Sequence, residues 1–259
     1  FADAQAYELI MGRWSTRLAS SFVKFAGVQD GDRVLDVGSG TGSLALAVAA
    51  FTATAQVVGI DRSQEYVEYA RSRTRDPRVR FETGDAQALP YSNASFDKAL
   101  SMLVLNFLPE PERSVAEMRR VTRPGGTVAA AVWDYGDGMA MLRIFWDVAA
   151  SLDPAASARH ERHMPYCREG ELATLWKNAG MVAVEERGIS IPLEFASFQD
   201  FWSPFMGGQG PSGSYTVSLP PDRRKALKEG LRRALLGNHP DGPFPLEARA
   251  WAVKGIVPP

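Results

Sequence analysis

The segment Arg33-Val-Leu-Asp-Val-Gly-Ser-Gly-Thr-Gly-Ser43 decides the fold of this chain. An apolar run ends in an acid and three alternating glycines, and the Ala- and Leu-rich stretch 44–49 follows. This order predicts a buried parallel strand, a tight turn without large side chains, and the start of a helix. Such a turn lets a ligand approach the backbone, where the first amides of the helix remain free as donors. The segment therefore predicts a site for a nucleotide-like molecule at the head of an α/β sheet.

The composition narrows the class of protein and of partner. The chain has 259 residues, 45% of them hydrophobic, which is enough for one large core or a core with a small cap. A formal net charge of -1 gives no general attraction to nucleic acid. Cys167 is the one cysteine, so no intrachain disulfide can form, and no run is apolar enough to cross a bilayer. We therefore predict a soluble cytoplasmic protein that binds neither nucleic acid nor membrane.

Strand-like and helix-like segments alternate from residue 33 to residue 135. The strand-like segments carry few charges, which is typical of a parallel sheet with helices on both faces. A stripe of Trp14, Leu18, Phe22 and Phe25 at helical spacing predicts a lead-in helix before the first strand. Predicted strands are 33–37, 56–61, 79–82, 96–102 and 126–134, and the helices between them are 44–50, 64–73 and 112–121.

The second half of the chain is less regular. Its pattern predicts helices at 139–152 and 169–179, one or two strands within 181–195, and a last strand at 246–257. Residues 196–245, approximately, form a predicted cap inserted between those strands. The cap holds a basic helix at 222–236 and an aromatic cluster, which consists of Phe198, Phe201, Trp202 and Phe205.

Acidic residues accompany three of the predicted strands. Asp36 precedes the glycine turn, Asp61 ends the second strand, and Asp85 follows the third strand. Open α/β sheets bind ligands at the carboxyl ends of their strands, so these acids are expected to line one pocket. There Asp61 could accept from two ribose hydroxyls, and Asp85 could accept from an exocyclic amine. An acid-lined pocket suits a cationic ligand better than a pyrophosphate, which it would repel.

A dinucleotide site is the alternative, because it also places glycines after a strand and an acid roughly 20 residues later. Here Ser43 stands where that fingerprint has its third glycine, and Asp85 adds a further negative charge. A nicotinamide-dependent oxidoreductase is therefore disfavoured.

The chain resembles the class I S-adenosylmethionine-dependent methyltransferases, and among them the small-molecule type 11 group that includes quinone-biosynthesis enzymes. The likeness covers roughly the first half of the chain, where five motifs occur in the family's order and spacing: 34–42, 58–63, 84–91, 95–97 and 123–126. One such motif is weak, whereas five in register are specific. The resemblance implies a Rossmann-like, doubly wound, seven-stranded and mostly parallel sheet, with an antiparallel last strand and a helical cap insertion.

The resemblance also implies S-adenosylmethionine as the cofactor and a set of residues around it. The glycines of the turn would approach its methionine part, Asp61 its ribose, and Asp85 with Ala86 its adenine. Ser101 and Met102, at the end of the fourth strand, would face the sulfonium. The full predicted cofactor-binding set is Tyr7, Trp14, Asp36, Gly38, Gly40, Gly42, Asp61, Arg62, Ser63, Gly84, Asp85, Ala86, Ser101 and Met102.

On this basis residues 1–259 form a single methyltransferase domain. Residues 1–32 hold an N-terminal lid and the lead-in helix, 33–135 the cofactor-binding core, and 136–259 the C-terminal half with the cap. In relatives, a segment before the lead-in helix folds over the bound cofactor, and residues 7–14 occupy that place here. An aromatic ring over a sulfonium gains up to ~2 kcal/mol when water is excluded. Trp14 can equally begin the buried stripe of the lead-in helix.

No catalytic residue is predicted. Methyl transfer from a sulfonium is an in-line displacement, in which the protein mainly aligns the reactants and excludes water. Many relatives carry two histidines after the fourth strand, where this chain has Asn106 and Phe107, so no proton-abstracting role carries over there. A methyltransferase acting on a small, partly apolar molecule is the main hypothesis. A cofactor-binding regulator or interaction module without turnover stays open beside it.

Other reactive side chains favour structural roles. His160 and His163 flank Arg162 in a polar stretch, which predicts a surface position rather than deprotonation of an acceptor. Cys167 is predicted to be a small buried hydrophobe, and without a Cys/His cluster no metal site is predicted. The aromatic cluster is predicted as cap core, with an acceptor-binding wall as the alternative. The basic helix is predicted to be a solvated face, with binding of an anionic acceptor as the alternative.

Overall fold

A seven-stranded sheet forms the centre of the computed structural model, which describes residues 4–259. Its strands are β1 Arg33–Val37, β2 Gln56–Asp61, β3 Val79–Thr83, β4 Phe96–Met102, β5 Thr122–Trp133, β6 Val182–Phe195 and β7 Phe244–Ile256. They lie in the order β3-β2-β1-β4-β5-β7-β6. Strands β1 to β5 pair in parallel, and β7 runs antiparallel to both β5 and β6. The predicted fold class, with its reversed last strand, is confirmed.

Strand β1 is buried on both faces, as its apolar sequence predicts. Val34 belongs to the hydrophobic core on one side of the sheet, and Leu35 and Val37 belong to the core on the other side. Neighbouring strands pair on both sides of β1, with Asp36 opposite Gly59 of β2 and Leu100 of β4. The strand order reverses at β1, and a crevice for ligands opens at such a switch point.

Helices cover both faces of the sheet. The lead-in stripe is buried in α2, and the run after the glycine turn forms α3. Within residues 4–259 no helix combines the length and the apolar character that a membrane span needs. The helices are α1 Ala4–Tyr7, α2 Arg13–Ala26, α3 Ser43–Phe51, α4 Gln64–Ser72, α5 Pro111–Val121, α6 Ala140–Leu152, α7 Glu171–Asn178, α8 Phe198–Trp202, α9 Gly210–Ser218 and α10 Pro221–Leu236, with a π-helical turn at Glu8–Gly12 between α1 and α2.

Helices α8, α9 and α10 lie between β6 and β7, where the cap was predicted. Their aromatic residues pack on one another and on α6: Phe205 stacks on Phe145 with ring centroids 4.7 Å apart, and Phe201 lies 5.4 Å from Phe205. All four residues of the aromatic cluster are buried. They form cap core, as predicted.

Strands β5 and β6 each contain an irregularity in their pairing. Strand β5 begins at Thr122 rather than at residue 126, because Thr122 pairs with Phe96 before a shift in register. The irregular stretch remains attached to the sheet because Gly125 N–H donates to the carbonyl of Val257 at 2.9 Å. Residues 182–195 form one continuous strand, which contains an irregularity near Ala183, where φ is 49°.

Candidate functional site

A cavity of about 860 Å³ lies at the carboxyl ends of β1, β2, β3 and β4. One half of its wall comes from the glycine turn and from the segments that follow β2, β3 and β4. The other half comes from the end of β5, from α6, from residues 161–164 and from the start of α9. Single small-molecule sites measure about 300–1,000 Å³. The volume therefore has room for a nucleoside-sized ligand and part of a second molecule.

The glycine turn is a bare-backbone segment between β1 and α3. Gly38, Gly40 and Gly42 have φ values of 74°, 51° and 90°, which side chains rarely tolerate. A Cβ on Gly38 would lie 2.5 Å from Val104 Cγ2, and one on Gly42 would lie 2.9 Å from the Phe81 ring. Gly38 and Gly40 line the cavity, whereas Gly42 does not and instead lets α3 approach the sheet.

Asp61, at the end of β2, holds the turn in place. Its Oδ2 accepts a hydrogen bond from Gly40 N–H at 2.9 Å, and its Oδ1 accepts one from Ser63 N–H at 2.9 Å. Ser63 in turn caps α4, where its Oγ accepts from Tyr66 N–H at 3.3 Å. A carboxylate offers about four acceptor positions, so Asp61 can still accept from a ligand in the cavity.

Asp36 lines the cavity as a buried and incompletely paired carboxyl group. It is 1% exposed, and its Oδ2 accepts from Ala45 N–H at 3.0 Å. Its Oδ1 has no hydrogen-bond partner among residues 4–259. Burial raises the pKa of Asp36 to about 7, and the negative charge of Asp61 adds to the rise. Such a group is ready to pair with a cationic or hydrogen-donating ligand.

The segment after β3 forms the far end of this half of the cavity. Gly84, Asp85 and Ala86 all line it, and Asp85 Oδ1 accepts from Gln87 N–H at 2.9 Å. From β4, Met102 lines the cavity, whereas Ser101 does not, because its Oγ donates to the carbonyl of Val37 at 2.9 Å. Most of the predicted set therefore meets at one wall: Tyr7, Asp36, Gly38, Gly40, Asp61, Arg62, Ser63, Gly84, Asp85, Ala86 and Met102.

Trp14 does not line this cavity, and its position fits the alternative that it begins the buried stripe of α2. The side chain is 1% exposed and packs edge-to-face on Phe195, with ring centroids 5.4 Å apart. The Arg13 guanidinium covers its other side at 4.2 Å. Trp14 begins the buried stripe because α2 turns that face toward β6.

The N-terminal segment, residues 4–12, borders the cavity through Tyr7, Ile10 and Met11. Tyr7 shares a hydrogen bond with the Ser15 hydroxyl at 3.0 Å, and burial raises the pKa of its phenol. The segment is tied to the glycine turn through one arginine. Arg73 Nη1 lies 3.4 Å from Glu8 Oε1 and donates to the carbonyl of Thr41 at 2.9 Å.

The predictions for His160, His163 and Cys167 had different outcomes. His160 is 5% exposed and stacks on the Trp146 ring at 5.9 Å, so its predicted surface position is wrong. Burial lowers its pKa to about 4, and its Nδ1 accepts from Arg162 N–H. His163 is exposed and Cys167 is buried, as predicted.

Glu161 is a cavity-lining residue that sequence reasoning missed. It is 4% exposed, and its carboxylate accepts from the Trp146 indole N–H. Tyr135, Leu142 and Met164 lie on the same half of the wall. The aromatic cluster of the cap does not line this cavity.

Comparisons with known proteins agree with this arrangement. Residues 35–130 match a family model described as a methyltransferase domain. An uncharacterised protein of Mycobacterium tuberculosis is 31% identical over 157 residues, which is 58% of this chain and 57% of that protein. The 27-O-demethylrifamycin SV methyltransferase of Amycolatopsis mediterranei is 37% identical over 119 residues, 44% of this chain and 43% of that enzyme. The chain thus spans about half the length of these curated relatives.

Solved structures share the whole fold. Phosphoethanolamine N-methyltransferase 2 of Haemonchus contortus, solved with phosphomonomethylethanolamine and S-adenosylhomocysteine, superposes with a TM-score of 0.61. The match covers 99% of this chain and 57% of that chain, at 17% sequence identity. This likeness concerns the fold alone.

Proposed function

We propose that this chain, whose residues 35–130 match the methyltransferase-domain family, transfers a methyl group from S-adenosylmethionine to a small molecule. The observation that carries the proposal is that Asp36, Asp61 and Asp85 line one cavity together with the glycine turn. S-adenosylmethionine carries a sulfonium and an ammonium group, and three nearby carboxyl groups complement that charge. A pyrophosphate would be repelled by the same groups, which disfavours a dinucleotide.

The wall offers a partner for each part of this cofactor. Asp61 would accept from the ribose hydroxyls, and Asp85 with Ala86 would lie at the adenine. The unpartnered Oδ1 of Asp36 and the unpartnered, buried hydroxyl of Ser39 fit the methionine end, where an ammonium group needs acceptors. When bound, the cofactor supplies an electrophilic methyl group. The chain's own task is to align the two reactants and to exclude water.

The acceptor in this proposal is a small molecule, because the cavity wall extends beyond the three acids to mostly apolar residues of β5, α6 and α9. A net charge of -1 supports the same choice over a nucleic-acid acceptor. A cytoplasmic location, predicted from the single cysteine, is part of the proposal as well.

Calorimetry and product analysis test the proposal together. S-adenosylmethionine and S-adenosylhomocysteine should each bind the full chain, and incubation with a cell metabolite extract should release S-adenosylhomocysteine. Absence of binding would refute the proposal. Binding without release of S-adenosylhomocysteine would instead favour the alternative function, a cofactor-binding regulator without catalytic turnover.

Affinity for S-adenosylmethionine should rise with pH through about 7, because a cationic ligand favours the ionised form of Asp36, whose pKa in the free protein is about 7. We expect roughly tenfold tighter binding at pH 8 than at pH 6 by calorimetry. Asp36→Asn should flatten that profile. If affinity depended on pH in the same way in Asp36→Asn as in the wild type, the role of Asp36 would be contradicted.

The raised pKa of Asp36 also affects the stability of the fold. Stability falls as the pH rises, whereas affinity for the cofactor increases. In the free protein, ionising the buried Asp36 opposes folding. Its contribution to stability is therefore fully retained below pH 3.8 and declines as the pH rises toward about 7. Thermal melting of wild type and Asp36→Asn without ligand measures the contribution of Asp36 to stability. The variant should be more stable than the wild type at pH 8 but not at pH 4.

The N-terminal segment is proposed to be a lid that bound cofactor orders. Saturating S-adenosylhomocysteine should slow tryptic cleavage after Arg13 several-fold, as followed by mass spectrometry. Arg73→Gln should reduce that protection, because it removes the contacts to Glu8 and Thr41. Arg75→Gln, at an exposed position nearby, is the matched control. If the ligand leaves the cleavage rate of the wild type unchanged, residues 4–12 are not such a lid.

A further inference from the structure

The part of the cavity whose wall comes from β5, α6, residues 161–164 and α9 is largely apolar and contains one buried carboxylate. We call it the acceptor chamber, and its wall consists of Trp133, Tyr135, Leu142, Glu161, Met164 and Ser212. Five of these residues are less than a tenth exposed, and Met164 is half-buried. Glu161 is the one acidic residue among them.

Glu161 is paired with a neutral donor. The Trp146 indole N–H donates to its Oε2. The polar groups of Ser212, which lines the same cavity, lower the pKa of the carboxyl group and partly offset the effect of burial. No lysine or arginine of residues 4–259 pairs with the carboxylate. Burying a carboxylate without a cation is unfavourable, and burial raises the pKa of Glu161 accordingly. A glutamine could make similar bonds without that cost, so packing by itself does not explain the charge.

None of the titratable groups next to Glu161 can replace it as a base in the acceptor chamber. Burial keeps the pKa of the Tyr135 phenol well above its usual value, and the negative charge of Glu161 adds to the rise. His160, the preceding residue, has a pKa lowered to about 4 and does not line the cavity. Arg162, the following residue, points to Asp147, with 3.9 Å between the charged atoms.

The charge of the wall also limits what the chamber can hold. Among residues 4–259, Arg62 is the one basic residue that lines the cavity, and it follows β2 on the opposite half. A phosphate or carboxylate on the acceptor would find no cation in the chamber and would face Glu161 instead.

We infer, on the basis of the proposed function, that Glu161 anchors and deprotonates the acceptor, which is an uncharged, largely apolar molecule bearing a hydroxyl or an amine. The O–H or N–H group donates to Glu161, and the apolar body packs against Leu142, Met164 and the aromatic wall. Glu161 takes the proton as the acceptor's lone pair forms a bond to the methyl carbon. The sulfur–methyl bond breaks with its electron pair left on sulfur, which produces the neutral thioether.

The test uses the full chain saturated with S-adenosylhomocysteine and four probes that share a naphthalene ring, titrated by calorimetry. The probes are 2-naphthol, 2-naphthylamine, 2-methoxynaphthalene and 2-naphthoate. We expect at least one of the first two to bind roughly tenfold or more tightly than the last two, because a hydrogen bond to a buried charged group has that strength. Which of the two binds better tells whether the site prefers oxygen or nitrogen.

Glu161→Gln should abolish that selectivity and keep the affinity for S-adenosylhomocysteine. Glu112→Gln is the matched control, because Glu112 lies outside the cavity and accepts from the Tyr166 hydroxyl at 2.7 Å. If the Gln variant failed to fold, the selectivity of the wild type would still decide the inference.

Three results would overturn this inference while the proposed function stands. They are binding of S-adenosylhomocysteine without binding of any probe, equal binding of the methoxy or carboxylate probe, and selectivity that Glu161→Gln retains. Failure of the wild type to bind S-adenosylhomocysteine would overturn the proposed function itself.

Discussion

Gly38→Ala is expected to lower the free energy of unfolding by about 2–5 kcal/mol. A side chain at φ 74° costs about 1–2 kcal/mol in backbone strain. The new Cβ would also lie 2.5 Å from Val104 Cγ2, and such overpacking costs about 1–3 kcal/mol. Urea unfolding of wild type and variant measures the difference.

The chain offers a control that separates strain from overlap. Gly31 has φ 82°, and a Cβ added to it would have no neighbouring atom within 4 Å, so Gly31→Ala should show the strain alone. Adding Gly38→Ala to a Val104→Ala background should likewise cost less than in the wild type. Equal losses for Gly31→Ala and Gly38→Ala would contradict the close approach of the turn to Val104.

Asp61→Ala is expected to weaken the binding of S-adenosylmethionine by about 1–3 kcal/mol, which is roughly 5- to 150-fold. The substitution leaves the ribose hydroxyls without their acceptor. It also removes the carboxylate that accepts from Gly40 and Ser63, so the turn loses its support. Calorimetry on the folded variant measures the loss.

Two comparisons test whether the loss comes from the contact with the ribose. The first controls for the removal of a charge, and the second removes one ribose hydroxyl from the ligand. Asp222→Ala removes a charge at an exposed position at the start of α10 and should leave affinity unchanged. The wild type should prefer adenosine over 2′-deoxyadenosine, and Asp61→Ala should show no preference. A variant that keeps the wild-type affinity would contradict the placement of Asp61 at the ribose.

Local sequence was sufficient for the acid-lined half of the cavity. Asp36, Asp61 and Asp85 each stand at or next to the end of a strand-like run, and parallel strands bring such ends to one edge of the sheet. The glycines between Asp36 and α3 mark the turn because positive φ is otherwise rare. The spacing of these glycines does not indicate which of them line the cavity. Gly42 packs against Phe81 instead, a contact between segments about 40 residues apart.

The chain's own pattern thus determined the sheet, the glycine turn and the acids beside it, because these depend on hydrophobic periodicity and on backbone geometry within a few residues. Tertiary structure decided the burial of Trp14 and His160 and the position of Glu161 in the acceptor chamber. Each depends on an element distant in sequence: Trp14 on β6, and both His160 and Glu161 on Trp146 of α6. A histidine or glutamate in a polar stretch has the same local appearance whether it is solvated or enclosed. Its burial is settled only when distant helices pack over it.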